Sequence, residues 1–369
     1  MKFFDCSIGE CVASNRDRNI VIFGAGDNLY FLENSPLSEL KDRVIFVIDN
    51  GDKESVTLWN KKIPVYKPEK LKEISSASVI ITSIIYMSEM TEQLESFDLS
   101  DDFYCYFYCL LSMKENPQLS EEEKSLLYNG EQRIPKIIHS FWFSGGPKDD
   151  LYLRCIDSWH KFCPDYEIKE WNCDNYDVEK HPFLKKAISV GAWAYASDFA
   201  RFDVVNEYGG IYMDMDFELL KSWDPILGHD AVFSFYSDLA IEPAVFAAIP
   251  NHPIVNDIHH LYDNVVIPDT KDAFAKYFAP RFIQEVFVKH GIKMNGHFQR
   301  IREDVILPRR FMTPMDSCLY TMDIKDETIG VHLCNVGWKA ATYKFEKPAK
   351  NRKLVKELFG YEFDEIKGK

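Results

Sequence analysis

Asp214 and Asp216 stand one residue apart at the end of the apolar run Ile211-Tyr212-Met213, with Met215 between them and Phe217 after them. Residues two apart on a strand face the same side, so the spacing presents two carboxylates together while Met215 turns inward. Like charges held this close repel unless a cation lies between them, and a set of oxygen ligands suits Mn2+ or Mg2+. The plainer alternative is a strand end with two solvated acids. The apolar residues on both sides argue for partial burial, and so for the cation. Just upstream, Ser197, Asp198 and Arg201 lie in a segment of helical character, where Asp198 and Arg201 share a face at i,i+3. Taken alone, that pair reads as a solvated helix salt bridge of a few tenths of a kcal/mol.

The elements that must hold these groups follow from the pattern around them. Residues 192–208 form a helix with Ala196, Phe199, Val204 and Val205 on its buried side, closed by Gly209-Gly210 as a C-cap. Before it, residues 134–143 read as a strand, 144–147 as a turn, 149–162 as a helix, 166–171 as a half-buried strand, and 182–190 as a second helix after His181-Pro182. This β-α-β-α order predicts a parallel sheet whose C-terminal edge opens a ligand cleft below Asp214 and Asp216.

The N-terminal third has a similar rhythm. Apolar runs at 19–25, 44–49, 63–66, 79–82 and 103–108 alternate with helical stretches, which predicts a second, Rossmann-like parallel sheet. Gly24 and Gly26 follow its first strand and Asp49 ends its second, as in a dinucleotide fingerprint. The third glycine would fall near Leu29 and is missing, so the two glycines are read first as a tight strand-to-helix turn. Ser120 and Glu123 form a capping box that opens a polar helix ended by Gly130. The expected organisation is α/β with two domains: a Rossmann-like sheet over 1–112, a helical linker over 113–133, and a second domain over 134–369 with a basic tail.

Composition bounds the function. The chain of 369 residues is long enough for two cores, and its formal net charge of −15 argues against nucleic acid as a partner. Its 9 cysteines lack paired metal-ligand spacing and follow no signal-like N-terminus, so reduced thiols in a cytoplasm are expected. Cys105 and Cys109 sit in an aromatic run and are expected to be buried. With no apolar run of spanning length, any work at a membrane is expected from its surface, as a peripheral protein at the inner face. Arg300, Arg302, Arg309 and Arg310 are the basic cluster that would meet an anionic acceptor or a lipid surface, unless they are merely a solvated face.

The ordered motifs I-P-K-I-I-H-S-F-W-F, C-P-D-Y-E-I-K-E-W and Y-A-S-D-F-A-R-F-D-V-V-N-E-Y-G-G-I-Y-M-D-M-D resemble glycosyltransferase family 32, the group with a DXD-containing sugar-binding region. The resemblance covers about 134–339. It implies a GT-A fold, a UDP- or GDP-sugar donor, bound Mn2+ or Mg2+, retention at the anomeric carbon, and an oligosaccharide, lipid-linked or polysaccharide acceptor, as in capsule synthesis. By the same likeness Asp214 would face the ribose and metal, and Asp216 would bind the metal directly. Ser197, Asp198 and Arg201 would hold hydroxyls of the donor sugar. His139, Phe141 and Trp142 would lie where the base and ribose are received. Ile329-Gly330-Val331-His332, with Asn335 and Trp338, resembles the family's closing segment, so His332 would be a third metal ligand or a diphosphate contact and Trp338 a donor contact. Its plainer reading is a satisfied core histidine. Gly337 stands in place of the family's serine, Pro280-Arg281-Phe282 matches a further family segment, and Asp238 and Glu242 are the spare acids beside the site. For the smaller N-terminal domain the likeness is to modules attached to bacterial sugar-modifying enzymes.

Two other classes compete. A sugar-nucleotide oxidoreductase or epimerase would use the N-terminal domain and needs a complete glycine fingerprint and a Tyr-x-x-x-Lys-type base. A non-catalytic two-domain scaffold would have no use for the acid pair or the S-D-x-x-R set.

Overall fold

The computed structural model of the chain describes residues 1–363 apart from Asp27, Asn129, Ser237, Asp238, Phe278, Ser317 and 335–345. It is a mixed α/β structure with two seven-stranded sheets, the first mostly parallel and the second with parallel and antiparallel pairs. The first holds β1 (Lys2–Phe4), β2 (Ile20–Phe23), β3 (Val44–Ile48), β4 (Ser55–Leu58), β5 (Lys61–Tyr66), β6 (Ala77–Ile81) and β7 (Phe103–Phe107) in the order β1-β7-β6-β2-β3-β5-β4. Only edge strand β4 runs antiparallel, against β5. The continuous apolar runs of β2 and β6 are buried along their whole length, as strands covered on both faces require. The covering helices are α1 (Ile8–Asn15), α2 (Leu29–Asn34), α3 (Met87–Glu95) and α4 (Tyr108–Lys114).

The capping box at Ser120 is formed: its backbone N–H donates to Glu123 Oε2 (2.8 Å) and its hydroxyl accepts from the Glu123 N–H (3.2 Å). It opens α5 (Glu121–Leu127), which buries Leu127 in the core of the second sheet and is therefore a packed element of that half.

The second sheet holds β8 (Ile137–Phe141), β9 (Glu167–Trp171), β10 (Gly210–Met213), β12 (Ala231–Ser234), β13 (Val245–Ala248), β14 (Gln299–Ile301) and β15 (Asp304–Leu307) in the order β14-β15-β12-β13-β10-β8-β9; a separate antiparallel pair joins β11 (Phe217–Leu219) to a late strand. Strand β13 is antiparallel to both neighbours and β14 to β15, while β10, β8 and β9 run parallel. The helices are α6 (Asp150–Phe162), α7 (Pro182–Ser189), α8 (Trp193–Tyr208), α9 (Pro253–Leu261), α10 (Ala279–Phe282) and α11 (Gln284–Lys289). Helix α8 is buried on nearly every side between Ala196 and Val205. Phe202 stacks on Phe246 of β13 with ring centroids 4.8 Å apart, and each such ring contributes roughly 1.5–3 kcal/mol by leaving water. Gly209 and Gly210 both take positive φ, +64° and +104°. A Cβ on Gly210 would sit 2.7 Å from the Ile137 carbonyl oxygen, so glycine lets β10 start against β8 directly after the helix.

The chain then returns to the first sheet. After β16 (Met315–Asp316), β17 (Thr321–Met322) and β18 (Gly330–His332), helix α12 (Lys347–Phe359) buries Val355 in the core that holds Val21, Val79 and Phe107. Asn351 is 2 % exposed; its Nδ2–H donates to the carbonyls of Ile84 (2.8 Å) and Cys318 (3.1 Å). The basic tail, expected to close the domain over 134–369, packs as a helix on the first sheet through Val355, with Asn351 bonding Ile84. Among the described residues no helix is long and apolar enough to cross a membrane. The expected arginine cluster does not form either. Arg309 and Arg310 are buried, Arg310 bonds Glu327 (3.0 Å), and Arg300 pairs with Glu303 (2.8 Å). Cys105 and Cys109 are buried, as expected.

Candidate active site

The acid pair is brought together by a turn rather than by strand pleating. Strand β10 ends at Met213, Asp214 to Asp216 turn, and the Phe217 N–H closes on the Asp214 carbonyl at 2.9 Å before β11 begins. Met215 does point into the core, at 6 % exposed. The turn is pinned from two sides. The Asp214 N–H donates to the Ala244 carbonyl (2.8 Å) ahead of β13, and the Leu333 N–H donates to the Asp216 carbonyl (3.0 Å) after β18. The antiparallel register of β11 and β18 sets Phe217 opposite His332, which carries the imidazole to the acid pair.

Ligand atoms of Asp214, Asp216 and His332 all lie within 4.8 Å of one another. Nε2 of His332 is 3.5 Å from Asp216 Oδ1, and its Nδ1 is 3.2 Å from Glu242 Oε2. Burial works against the imidazolium, but Cys334, Glu242 and Asp216 outweigh it and hold the His332 pKa well above the usual histidine range. For Asp214, burial raises the pKa against the pull of Arg201, and Asp216 adds to the rise. Two carboxylates and an imidazole converging on one point, with two of the three residues negatively charged when ionised, fit a divalent cation of the Mn2+ or Mg2+ type.

Asp198 and Arg201 are not a surface pair. Arg201 is 4 % and Asp198 8 % exposed. One guanidinium nitrogen, Nη2, lies 2.8 Å from Asp198 Oδ1 and 3.4 Å from Asp214 Oδ1. Its Nη1–H donates to the Pro243 carbonyl (2.8 Å) and its Nε–H to the Ser197 carbonyl (3.1 Å). The guanidinium also stacks over Tyr212, 4.6 Å from the ring centroid, and the Tyr212 hydroxyl donates to Asp214. Burial pushes the Asp198 pKa up to about 6, against Arg201 and with the help of Asp214. A charge row of this kind, preset and nearly dry, can orient polar groups of a ligand without rearranging.

The other expected donor contacts take the following places in the fold. His139 is 0 % exposed, with both ring nitrogens engaged: Trp171 Nε1–H donates to Nδ1 (3.1 Å), and Nε2 faces the Gly209 carbonyl at 2.9 Å. Burial lowers its pKa to about 4, so it is a neutral core residue joining β8, β9 and the end of α8. Phe141 is buried in an aromatic cluster with Phe143, Tyr176 and Tyr212. An apolar strand in the middle of a sheet turns such side chains into core. Trp142, on the alternate side, is half-buried, with its indole N–H donating to the Gly146 carbonyl (2.7 Å). Ser197 is half-buried beside Arg201, its hydroxyl donating to the Trp193 carbonyl at 3.2 Å. Trp338, Asn335, Gly337 and Asp238 lie outside the described residues.

Three contributors escaped sequence reasoning. Tyr212 stands two residues before Asp214, and the period of a strand could have placed it under the acid. Glu242 was read only as a spare acid. Thr313, whose hydroxyl donates to Glu242 Oε2 at 3.1 Å, left no local signal. In the N-terminal sheet Asp49 is already committed: its Oδ2 accepts from the Ala25 N–H (2.7 Å) and its Oδ1 from the Gly51 N–H (2.6 Å). The acid that would hold a dinucleotide ribose closes its own loop instead.

A mixed α/β sheet with a D-x-D turn, a buried S-D-x-x-R helix and a late histidine at one edge defines a candidate sugar-transfer centre. Residues 149–233 match the family described as glycosyltransferase sugar-binding region containing DXD motif. Over 148 residues the chain is 29 % identical to a mannosyl phosphorylinositol ceramide synthase of Saccharomyces cerevisiae, covering 37 % of this chain and 38 % of that protein. Over 138 residues it is 29 % identical to an uncharacterized glycosyltransferase of Acanthamoeba polyphaga mimivirus, covering 34 % and 54 %. The chain therefore spans between about a third and about half the length of these relatives. Among solved structures it aligns with the PaToxG glycosyltransferase at 15 % identity and a TM-score of 0.34, covering 46 % of this chain and 74 % of that one.

Proposed function

We propose that the chain is a cation-dependent, retaining glycosyltransferase of GT-A type, moving a hexosyl group from a UDP- or GDP-sugar to a glycan or lipid-linked saccharide. The observation that carries this reading is the meeting of Asp214, Asp216 and His332 within 4.8 Å, beside the buried guanidinium of Arg201. In the reaction, the bond from the anomeric carbon to the diphosphate oxygen breaks and its electron pair leaves with the diphosphate. A bound Mn2+ or Mg2+ supplies Lewis-acid neutralisation of that charge. Asp198 and Arg201 hold sugar hydroxyls in place, which lowers the entropic part of the barrier. The acceptor hydroxyl attacks from the face the diphosphate leaves, and its proton passes to the departing phosphate oxygen. Glu242, one of the two spare acids beside the site, is 3 % exposed and already bonded at both oxygens, which favours this front-face course over a covalent intermediate. The setting we propose is synthesis of a capsule or other surface polysaccharide, in the cytoplasm at the inner face of a membrane.

The yeast relative is named for mannosyl transfer, so GDP-mannose is the first donor to assay, with UDP-hexoses alongside. Release of GDP or UDP should require Mn2+ or Mg2+, stop with a chelator, and fall by about 100-fold or more in Asp216→Ala. Wild-type turnover in Asp216→Ala would sink the reading.

A further inference from the structure

The segment Ile241-Glu242-Pro243-Ala244 touches three of the charged residues of the site. The Pro243 carbonyl receives Arg201, the Ala244 carbonyl receives the Asp214 N–H, and the Glu242 carboxylate faces His332. Glu242 is itself fastened: Oε1 accepts from the Ala244 N–H (3.0 Å), Oε2 accepts from the Thr313 hydroxyl (3.1 Å), and its own N–H donates to the Ser234 carbonyl (2.8 Å). The segment is held from behind by Gln284, which is 1 % exposed and whose Oε1 accepts from the Ile241 N–H at 2.9 Å. A buried carboxylate fixed this thoroughly cannot swing toward a sugar. What it can do is accept a proton from Nδ1 of His332, 3.2 Å away. That bond turns Nε2, on the far side of the ring, toward Asp216, where a bound cation would take the place of its proton.

We infer that Glu242, seated by Thr313, is a positioning residue that orients His332 as a cation ligand through Nε2. The inference rests on the reading of Asp214, Asp216 and His332 as a cation site. The physical reason is general: an imidazole ligand whose other nitrogen is hydrogen-bonded to a carboxylate has its tautomer and ring orientation fixed and its basicity raised, and removing such a partner weakens metal affinity 10–100-fold. Its negative charge also adds to the field that attracts a cation, although it does not touch the ion. The sequence distance of 90 residues between the two partners places the pair beyond any local motif.

The test is direct Mn2+ binding, read as loss of the free-ion signal in electron paramagnetic resonance, without donor or acceptor present. Circular dichroism and thermal melts confirm the fold of each variant. Glu242→Gln should weaken Mn2+ binding by about 10–100-fold, Thr313→Val should weaken it less, and Glu242→Asp should recover part of the loss. Asp216→Ala serves as the reference. If Asp216→Ala and His332→Ala bind Mn2+ as wild type does, the cation site itself is refuted. If those two lose the ion while folded Glu242→Gln binds like wild type, the site stands and the role of Glu242 falls. Should Glu242→Gln fail to fold, Thr313→Val decides: weakened binding supports the role, and unchanged affinity overturns it.

Discussion

Nη2 of Arg201 stands 2.8 Å from Oδ1 of Asp198, one helical step apart on α8, with both residues almost out of water. The same two residue types at the same spacing on an exposed helix would contribute little. Here, removal of one partner strands a buried charge. Arg201→Met is expected to cost about 3–5 kcal/mol in chemical denaturation at neutral pH. Asp198→Asn combined with Arg201→Met should recover part of that, because no lone charge remains between the two positions. A loss below about 1 kcal/mol for Arg201→Met would mean that the pair behaves as a surface one.

His139 makes stability depend on acid. Its folded pKa, lowered to about 4 by burial, lies below the unfolded value near 6.5, so the folded state binds fewer protons. The contribution is whole above pH ~6.5 and is lost as pH falls through about 4. A gap of that size corresponds to about 3 kcal/mol. In His139→Gln the drop in stability between these pH values should shrink by that amount, measured by urea unfolding at several pH values. Because the ring is fully buried, the same variant should bind the proposed donor with unchanged affinity.

Gly210 tests whether the start of β10 positions the acid turn. Gly210→Ala combines a φ of +104° with a methyl 2.7 Å from the Ile137 carbonyl oxygen. It should destabilise by more than about 1 kcal/mol, and the melting temperature should fall by at least roughly 2–4 °C. Gly26→Ala, whose methyl would meet nothing within 4 Å, should leave the melt unchanged.

Asn351 tests the attachment of the last helix. Asn351→Leu removes the donor for the Ile84 and Cys318 carbonyls and leaves the Ser88 hydroxyl, now bonded to Oδ1 at 3.2 Å, without its acceptor. Each buried group left unpaired costs about 1–3 kcal/mol. Limited proteolysis should release the C-terminal helix faster than in wild type, while an unchanged cleavage rate would show that Val355 and its apolar neighbours suffice.

Much of the organisation was legible in the chain itself. The apolar runs of β2, β3, β6 and β8, the capping box at Ser120, the glycine pair after α8 and the acids at 214 and 216 are all local signals, because backbone sterics, capping and strand burial act over a few residues. Where local reading failed, the deciding quantity was environment. His139 and Phe141 share a strand with Trp142, yet only neighbouring β9, β10 and α8 determine that the first two are core. The pairing of Asp198 with Arg201 follows from helical spacing. Its burial, which raises the Asp198 pKa, comes from the elements packed around α8, chiefly α7, α9 and β8. The sequence by itself determined two α/β sheets and a D-x-D turn at the edge of the second. Tertiary structure alone decided that His332 meets Asp216 on one ring nitrogen and Glu242 on the other, and that the last helix returns to the first sheet. Contacts across such distances depend on strand register and on which faces leave water, and neither is encoded in any short stretch of residues.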